Sequence, residues 1–146
     1  MPYPAFMQRR QAEQIAAARV RATAERVTPA RVWVLAALLR RGEAASHHEL
    51  ERDLAADAID RVTLYRVLDW LVGQGLAHRI SSADRTWRFT AADRRHDTHA
   101  HFHCNRCGRV LCLDELKTPR LPAAMPRGLQ AEGMEVTVTG VCAGCA

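Results

Sequence analysis

Residues 60–75, DRVTLYRVLDWLVGQG, have the spacing of an amphipathic helix. Five apolar residues follow the intervals i, i+3, i+4, i+7 and i+8 and would form one buried stripe: Leu64, Val67, Leu68, Leu71 and Val72. Arg61 and Tyr65 flank this stripe, and Arg66 points away from it. Two glycines end the segment, as is common after a helix. One face of the helix is therefore suited to a core, and the other can contact a partner.

The flanking sequence predicts a winged helix-turn-helix. Three helical segments precede the stripe, and two strands follow it: residues 8–25, 29–41, 47–58, 76–82 and 85–91. In such a domain the last helix enters the major groove of DNA, and neighbouring basic groups hold phosphates. A small helical domain with a hairpin and no role in DNA binding is the alternative. The exposed Tyr65 and Arg66 favour DNA.

The excess positive charge is confined to the first part of the chain. Residues 1–95 hold 16 Arg and no Lys against 11 acidic residues, whereas residues 96–146 hold five basic and five acidic residues. All five cysteines lie in the second part. The asymmetry predicts two modules, one that meets a polyanion and one that binds metal. A charged surface that only keeps the protein in solution could account for the excess of arginine. It would not account for the exposed Tyr and Arg of the last helix.

The second part contains two C-x-x-C pairs. Cys104 and Cys107 form the first pair, and Cys142 and Cys145 form the second. Four thiolates make a closed tetrahedral zinc site, the usual structural form, which leaves no position for a substrate. A thioredoxin-like redox couple is the alternative, but that motif opens a helix in a βαβ unit that is absent here. We therefore predict one structural Zn²⁺ bound by the four cysteines.

Zinc suits this part of the chain because its apolar residues are few. The expected core consists of Val110, Leu111, Leu113, Leu116, Val136, Val138 and Val141. The segment MEVTVTGV, residues 134–141, alternates as a strand does. That strand would bring the second cysteine pair beside the first.

Composition and motifs also narrow the class of protein. No apolar run reaches the ~20 residues of a membrane span, and the first residues lack the apolar core of a signal peptide. We therefore expect a cytoplasmic protein with reduced thiols and no membrane partner. A metal-dependent hydrolase would need an open metal site with an acid or base beside it, for example H-E-x-x-H, which does not occur. We expect no enzymatic activity and no small organic substrate, and a thiol-redox or zinc-chaperone protein remains the alternative of another class.

Two motifs, with the terminal C-x-x-C, resemble the ferric uptake regulator superfamily over essentially the whole chain. They are TLYRVL at residues 63–68 and HAHFHCNRCG at residues 99–108. The resemblance implies an α+β fold with a winged-helix DNA-binding domain (1–92), a hinge near residues 91–97 and a small α/β dimerisation domain (93–146). It also implies a homodimeric, metal-dependent bacterial repressor whose partner is double-stranded operator DNA.

The same resemblance implies roles for residues of the last helix. Tyr65 would touch a thymine methyl group, and Arg66 would hold a phosphate. We add Arg61 and Thr63 from the same helix to the predicted DNA-binding set.

A second, regulatory metal site is implied by the histidines. His99 and His101 match positions that bind the sensed metal in this family, and their alternation places them on one face of a strand. Cys112 occupies a position where many members carry an acid, and a soft thiolate favours zinc. His78 resembles a ligand position of zinc uptake regulators, and His96 in the hinge is a further candidate. A regulatory Zn²⁺ held jointly by the two domains would restrict the angle between the recognition helices of the dimer.

Some residues depart from the family pattern. Arg88 and Ala44 stand where iron and peroxide sensors usually carry an acid and a histidine, which argues for zinc. An iron- or peroxide-responsive regulator remains the alternative within the family. His103 falls where the family usually has an apolar residue and is a weak candidate ligand. His47 and His48 begin a helix and are expected to be solvated.

Overall fold

The computed structural model contains two compact units, residues 1–94 and 95–146. The structure describes residues 7–81, 84–92, 100–113, 116, 125–131 and 134–146. The predicted domain boundary after residue 92 adjoins residues 93–99, which lie outside the described residues, so this boundary stays a prediction.

The first unit combines helices with a small antiparallel sheet. In chain order its elements are α1 (Arg9–Arg21), α2 (Pro29–Arg41), β1 (Ala45–Ser46), α3 (His47–Asp53), α4 (Arg61–Gly73), β2 (Ala77–Ser81) and β3 (Trp87–Ala91). The strand order is β1-β3-β2. The predicted helices and two-stranded wing are present, although the helix predicted over residues 47–58 ends at Asp53 and a 3-10 turn, Ala55–Asp57, follows it. Strand β1 is an addition to the predicted elements. None of the helices in the described part of the chain has the length and hydropathy needed to cross a bilayer.

The predicted stripe of α4 lies in the core of the first unit. Four of its residues are buried, and the fifth is half-buried: Leu64, Val67, Leu68, Leu71 and Val72. They belong to one apolar cluster with Leu35 and Leu38 of α2 and Phe89 of β3. Because this face is buried, α4 presents its opposite face to solvent, where Tyr65 is 44% exposed.

Three helices begin at polar residues whose side chains accept a hydrogen bond from the first turn: Thr28, Ser46 and Asp60. At α3 the bonding is reciprocal. The N–H of Glu49 donates to Oγ of Ser46 at 3.2 Å, and the N–H of Ser46 donates to the carboxylate of Glu49 at 2.9 Å. This capping box satisfies two backbone donors that the helix itself leaves unpaired.

Ser46→Ala is expected to lower the free energy of unfolding of the first unit by about 1 kcal/mol, because the N–H of Glu49 loses its acceptor. Urea unfolding followed by circular dichroism measures the change. Ser46→Thr retains a hydroxyl group and should lose less. Equal stability of wild type and Ser46→Ala would show that this cap does not stabilise α3.

The second unit contains a three-stranded sheet of order β5-β4-β6, in which β4 is Ala100–Cys104, β5 is Val110–Leu113 and β6 is Val136–Gly140. Strand β4 is antiparallel to β5 and parallel to β6. In the parallel pair Cys104 lies beside Gly140, and Cys142 follows two residues later. A Cβ atom at Gly140 would lie 3.1 Å from Cε2 of Phe102, so glycine permits this close approach. The helices and small sheets confirm the predicted α+β class.

The predicted core of the second unit is wrong in part. Val110 is buried, but Leu116, Val138 and Val141 are 48%, 37% and 42% exposed. The other three residues are half-buried: Leu111, Leu113 and Val136. Among the residues that the structure describes, strand β6 is at the edge of the sheet and has β4 as its one neighbouring strand. The alternation of residues 134–141 predicts a strand, and β6 is that strand. Alternation alone does not show whether a face of the strand is covered.

Candidate metal centre and nucleic-acid interface

Four sulfur atoms meet at one point of the second unit. The Sγ atoms of Cys104, Cys107, Cys142 and Cys145 all lie within 4.8 Å of one another. Among the described residues this is the one group of three or more His, Cys, Asp or Glu side chains that could hold a metal ion. The tertiary structure thus brings together the two C-x-x-C pairs that the sequence predicts as ligands.

The backbone after β4 turns so that the first pair faces the second. Gly108 has a φ of 73°, in the left-handed region that glycine adopts without strain. Its N–H donates to the carbonyl oxygen of Cys104 at 3.0 Å, which closes the turn. The N–H of Asn105 donates to the carbonyl oxygen of Gly140 at 2.7 Å. This bond ties the turn to the end of β6, just before the second pair.

The pKa values of Cys104 and Cys145 are shifted in opposite directions. Backbone N–H groups of Cys107 and Cys142 donate hydrogen bonds to Sγ of Cys104 and lower its pKa to about 6. Hydrogen bonds with the side chains of Cys142 and Cys107 raise the pKa of Cys145 to about 12. The thiolate of Cys104 therefore forms near neutral pH, whereas the thiol of Cys145 keeps its proton there. A bound divalent cation would favour the ionised form of each thiol ligand, as a four-thiolate site requires.

One sulfur–sulfur distance in the cluster matches the geometry of a zinc site. A Zn–S bond of about 2.3 Å places the sulfurs of a regular tetrahedron ~3.8 Å apart. The Sγ atoms of Cys107 and Cys142 are 3.7 Å apart. Cys104 and Cys142 are also buried, so solvent has little access to their sulfurs. Four sulfur donors with no open position are the donor set of a structural zinc site.

Two of the predicted regulatory ligands are neighbours in the sheet. His101 on β4 is directly opposite Cys112 on β5, and opposed residues of an antiparallel pair share a face, with Cβ atoms about 4.5–5.5 Å apart. His101 is buried, and Cys112 is half-buried. His96 and His99 lie outside the described residues. The pair supplies one imidazole and one thiolate on the same side of the sheet.

The two remaining histidine candidates are His78 in the first unit and His103 on the same strand as His101. His78 is half-buried on β2 of the first unit, where its partner on β3 is Thr90. His103 is 8% exposed and lies opposite Val110, and its Nε2 makes no hydrogen bond within the described part of the chain. It forms no three-residue metal group with His101 and Cys112. The structure therefore gives His103 no further support as a ligand.

The solvent-facing side of α4 carries the residues predicted to contact DNA. Tyr65 and Arg66 are both exposed, and no ion pair of Arg66 occurs among the described residues. Thr63 is half-buried and donates its N–H and its hydroxyl to the carboxylate of Asp60, both at 2.8 Å. These hydrogen bonds lower the pKa of Asp60. Thr63 therefore stabilises the start of α4, next to the residues that face solvent.

Several arginines of the first unit pair with carboxylates: Arg9 with Asp57, Arg41 with Asp53, Arg61 with Glu51, Arg79 with Asp69, and Arg88 with Glu49. In the pair on α4, Nε of Arg61 is 2.8 Å from Oε1 of Glu51. Such an exposed pair is weak and can exchange its carboxylate for a phosphate. These pairs leave the excess positive charge of the first part unchanged, since the composition already counts the carboxylates.

The surroundings of His47 are not evident from the sequence. Its ring stacks on Tyr65, with centroids 3.8 Å apart and planes 12° apart, and meets Phe89 edge-on at 4.8 Å. Burial is the largest of the effects that lower the pKa of His47. The expectation of a solvated residue is wrong here, although His48 is exposed as expected. Spacing along the chain could not reveal this, because both partners belong to other elements.

Comparison with known proteins agrees with the motifs. The model of the ferric uptake regulator family matches residues 22–139. The zinc uptake regulation protein of Escherichia coli (strain K12) is 31% identical over 140 residues, which cover 92% of this chain and 79% of that protein. The predicted resemblance is confirmed.

Solved structures resemble the chain at the level of the fold. A zinc uptake regulator complexed with zinc and DNA has a TM-score of 0.68 and 22% identity, and the match covers 96% of each chain. The ferric uptake regulator of Vibrio cholerae has a TM-score of 0.59 and 20% identity, over 84% of this chain and 96% of that chain.

Proposed function

Because the chain belongs to the ferric uptake regulator family, we propose that it is a zinc-responsive DNA-binding repressor of metal-uptake genes. The family is one of transcription regulators. The relative from Escherichia coli is a zinc uptake regulation protein, and one protein of the same fold has been solved with zinc and DNA. These relationships favour a regulator over a thiol-redox or zinc-chaperone protein.

The exposed face of α4 carries the DNA-binding part of the proposal. Its apolar stripe is buried in the core, so the helix is held rigidly while Tyr65 and Arg66 face solvent. An aromatic ring can contact a thymine methyl group in the major groove, and a guanidinium can pair with a phosphate. Arg61 and Thr63 flank this pair, and their contacts with DNA stay predictions.

Two zinc sites with different tasks are proposed. The four cysteines would hold a structural zinc, which adds folding free energy to a unit with few buried apolar residues. His101 and Cys112, together with His99, would form an exchangeable site whose occupancy sets the affinity for DNA. His78 and His96 stay predicted further ligands of that site.

The sulfur of Cys112 favours zinc over the alternative metals. Thiolate and imidazole ligands suit zinc, whereas carboxylate and water suit manganese and other hard cations. Cys112 lies directly opposite His101, so both donors are on one face of the sheet. An iron- or peroxide-responsive regulator would gain nothing specific from this thiolate.

Exposed apolar side chains of the second unit support a homodimer. Leu116, Val138 and Val141 are all more than a third exposed. Covering such side chains with the same unit of a second chain would remove their apolar surface from water. We propose this unit as the dimerisation domain.

A metal-buffered DNA-binding titration tests the proposed function. Operator DNA is selected from a random duplex library with zinc-loaded protein, and affinity is then measured against free zinc, iron(II) and manganese. Zinc should activate binding at the lowest free concentration. Activation by iron(II) or manganese at a lower free concentration would contradict the zinc assignment, and no metal-dependent DNA binding at all would contradict the proposed function.

Tyr65→Ala should weaken operator binding about tenfold, because burying one methyl group contributes about 0.8 kcal/mol and a dimer would make one such contact in each half-site. Folding should be unchanged, since Tyr65 is 44% exposed. Arg66→Ala should instead weaken binding to all sequences and reduce the salt slope by about 1. Fluorescence anisotropy at several salt concentrations separates the two effects.

Arg127→Ala is the matched control, because it removes the same charge from an exposed position of the second unit. It should leave both affinity and salt slope close to those of the wild type. Unchanged binding by Tyr65→Ala and Arg66→Ala would show that DNA contacts another surface.

A further inference from the structure

Three rings form a continuous chain of contacts, one edge-on and one stacked, that ends at the solvent-facing side of α4. Phe89 on β3 is 1% exposed and belongs to the core. The ring of His47 meets Phe89 edge-on, with centroids 4.8 Å apart and planes 74° apart. The ring of His47 is also stacked on Tyr65, with centroids 3.8 Å apart and nearly parallel planes. The exposed phenol ring is therefore connected to the core through one imidazole.

The position of His47 is itself well determined. It is the first residue of α3 and lies between Ser46 and Glu49, the two residues of the capping box. Strand β1, which includes Ser46, pairs with β3, so the start of α3 is tied to the strand that carries Phe89. The imidazole has little freedom to leave the space between the two neighbouring rings.

The charges around His47 belong to α3, α4 and β2. Glu51 on α3 and Asp69 on α4 favour the protonated imidazole, whereas Arg79 on β2 disfavours it. Burial outweighs them and lowers the pKa of His47. The neutral ring that stacks between two aromatic side chains therefore predominates at neutral pH.

We propose that His47 is a positioning residue that holds the Tyr65 ring in the orientation in which it contacts a thymine methyl group of the operator. This inference rests on the proposed function. An exposed tyrosine side chain that is free to rotate loses conformational entropy when it binds DNA. Stacking on His47 already restricts the Tyr65 ring in the free protein, so less entropy is lost on binding. His47 itself needs no contact with DNA.

The test compares operator duplexes that contain dT or dU at the half-site thymines, because dU lacks only the methyl group. Wild-type protein should bind the dU duplex about fourfold more weakly per contacted methyl group. Tyr65→Ala should bind both duplexes equally. His47→Ala should lose about three- to tenfold affinity for the dT duplex and most of the dT/dU difference, although Tyr65 is intact.

Two variants separate positioning from folding. His47→Phe keeps a ring between Phe89 and Tyr65 and should restore the dT/dU ratio, whereas His47→Leu fills space without a ring and should not. His48→Ala is the matched control, since the neighbouring histidine is exposed. Thermal unfolding and zinc content are measured for each variant to detect any loss of structure. If His47→Ala is unfolded, the comparison uses His47→Leu in its place.

The possible outcomes are distinct. A wild-type dT/dU ratio in both His47→Ala and His47→Leu overturns the inference, even if affinity falls equally on both duplexes. Equal binding of the two duplexes by wild-type protein also overturns it, while zinc-dependent operator binding would leave the proposed function intact. If the wild-type protein binds DNA with none of the metals, the proposed function itself is wrong. That result is obtained before the dU duplex is used.

Discussion

Replacing Cys142 by serine is expected to remove one zinc ion per chain and to unfold the unit of residues 95–146. The buried apolar residues described in this unit are few, and two of them are cysteines of the cluster: Ala100, Cys104, Val110 and Cys142. A structural zinc contributes about 10–16 kcal/mol of apparent folding free energy in small zinc-binding peptides, as much as the whole stability of an ordinary domain. Elemental analysis and near-ultraviolet circular dichroism measure the two losses, and Cys104→Ser should behave in the same way.

Cys112→Ser is the matched control, because it replaces the one cysteine that lies outside the four-sulfur cluster. It should keep the structural zinc and the fold of the second unit. Size-exclusion chromatography with light scattering adds a further readout, since loss of the proposed dimerisation domain should give monomers. A Cys142→Ser protein that stays dimeric with its full zinc content would refute the structural role of the cluster.

His101→Ala is expected to retain the structural zinc, the fold and the dimer, yet to lose zinc-dependent operator binding. The imidazole is directly opposite Cys112, so its removal takes one of two neighbouring donors from the proposed regulatory site. The free zinc concentration needed for DNA binding should rise by about 100-fold or more, since losing even a residue that only orients a metal ligand costs about 10- to 100-fold in affinity. His99→Ala should give the same result.

His103→Leu is the control for this loss, because His103 is a buried histidine of the same strand that we do not assign to the site. Its response to zinc should match that of the wild type. DNA affinity in a zinc-buffered titration decides the matter. If His101→Ala responds at the wild-type zinc concentration, the regulatory site lies elsewhere.

Local patterns in the sequence determined the main elements of this protein. The intervals between Leu64 and Val72 predicted the buried face of α4, because a helical period depends only on neighbours within two turns. The C-x-x-C spacing identified the four cysteines for a similar reason, since two ligands separated by two residues can face one metal. The TLYRVL and HAHFHCNRCG motifs then indicated the family.

The tertiary structure alone decided which distant residues meet. The parallel register of β4 and β6 places Cys104 near Cys142, 38 residues away, and the sequence could only suggest that the two pairs converge. The exposed position of Val138 could not be read from alternation, because a strand alternates whether or not its face is covered. The stack of His47 between Tyr65 and Phe89 left no signal in the spacing of any segment. Such contacts depend on how helices and strands pack to bury apolar surface, and that free energy belongs to the whole unit rather than to any local stretch of residues.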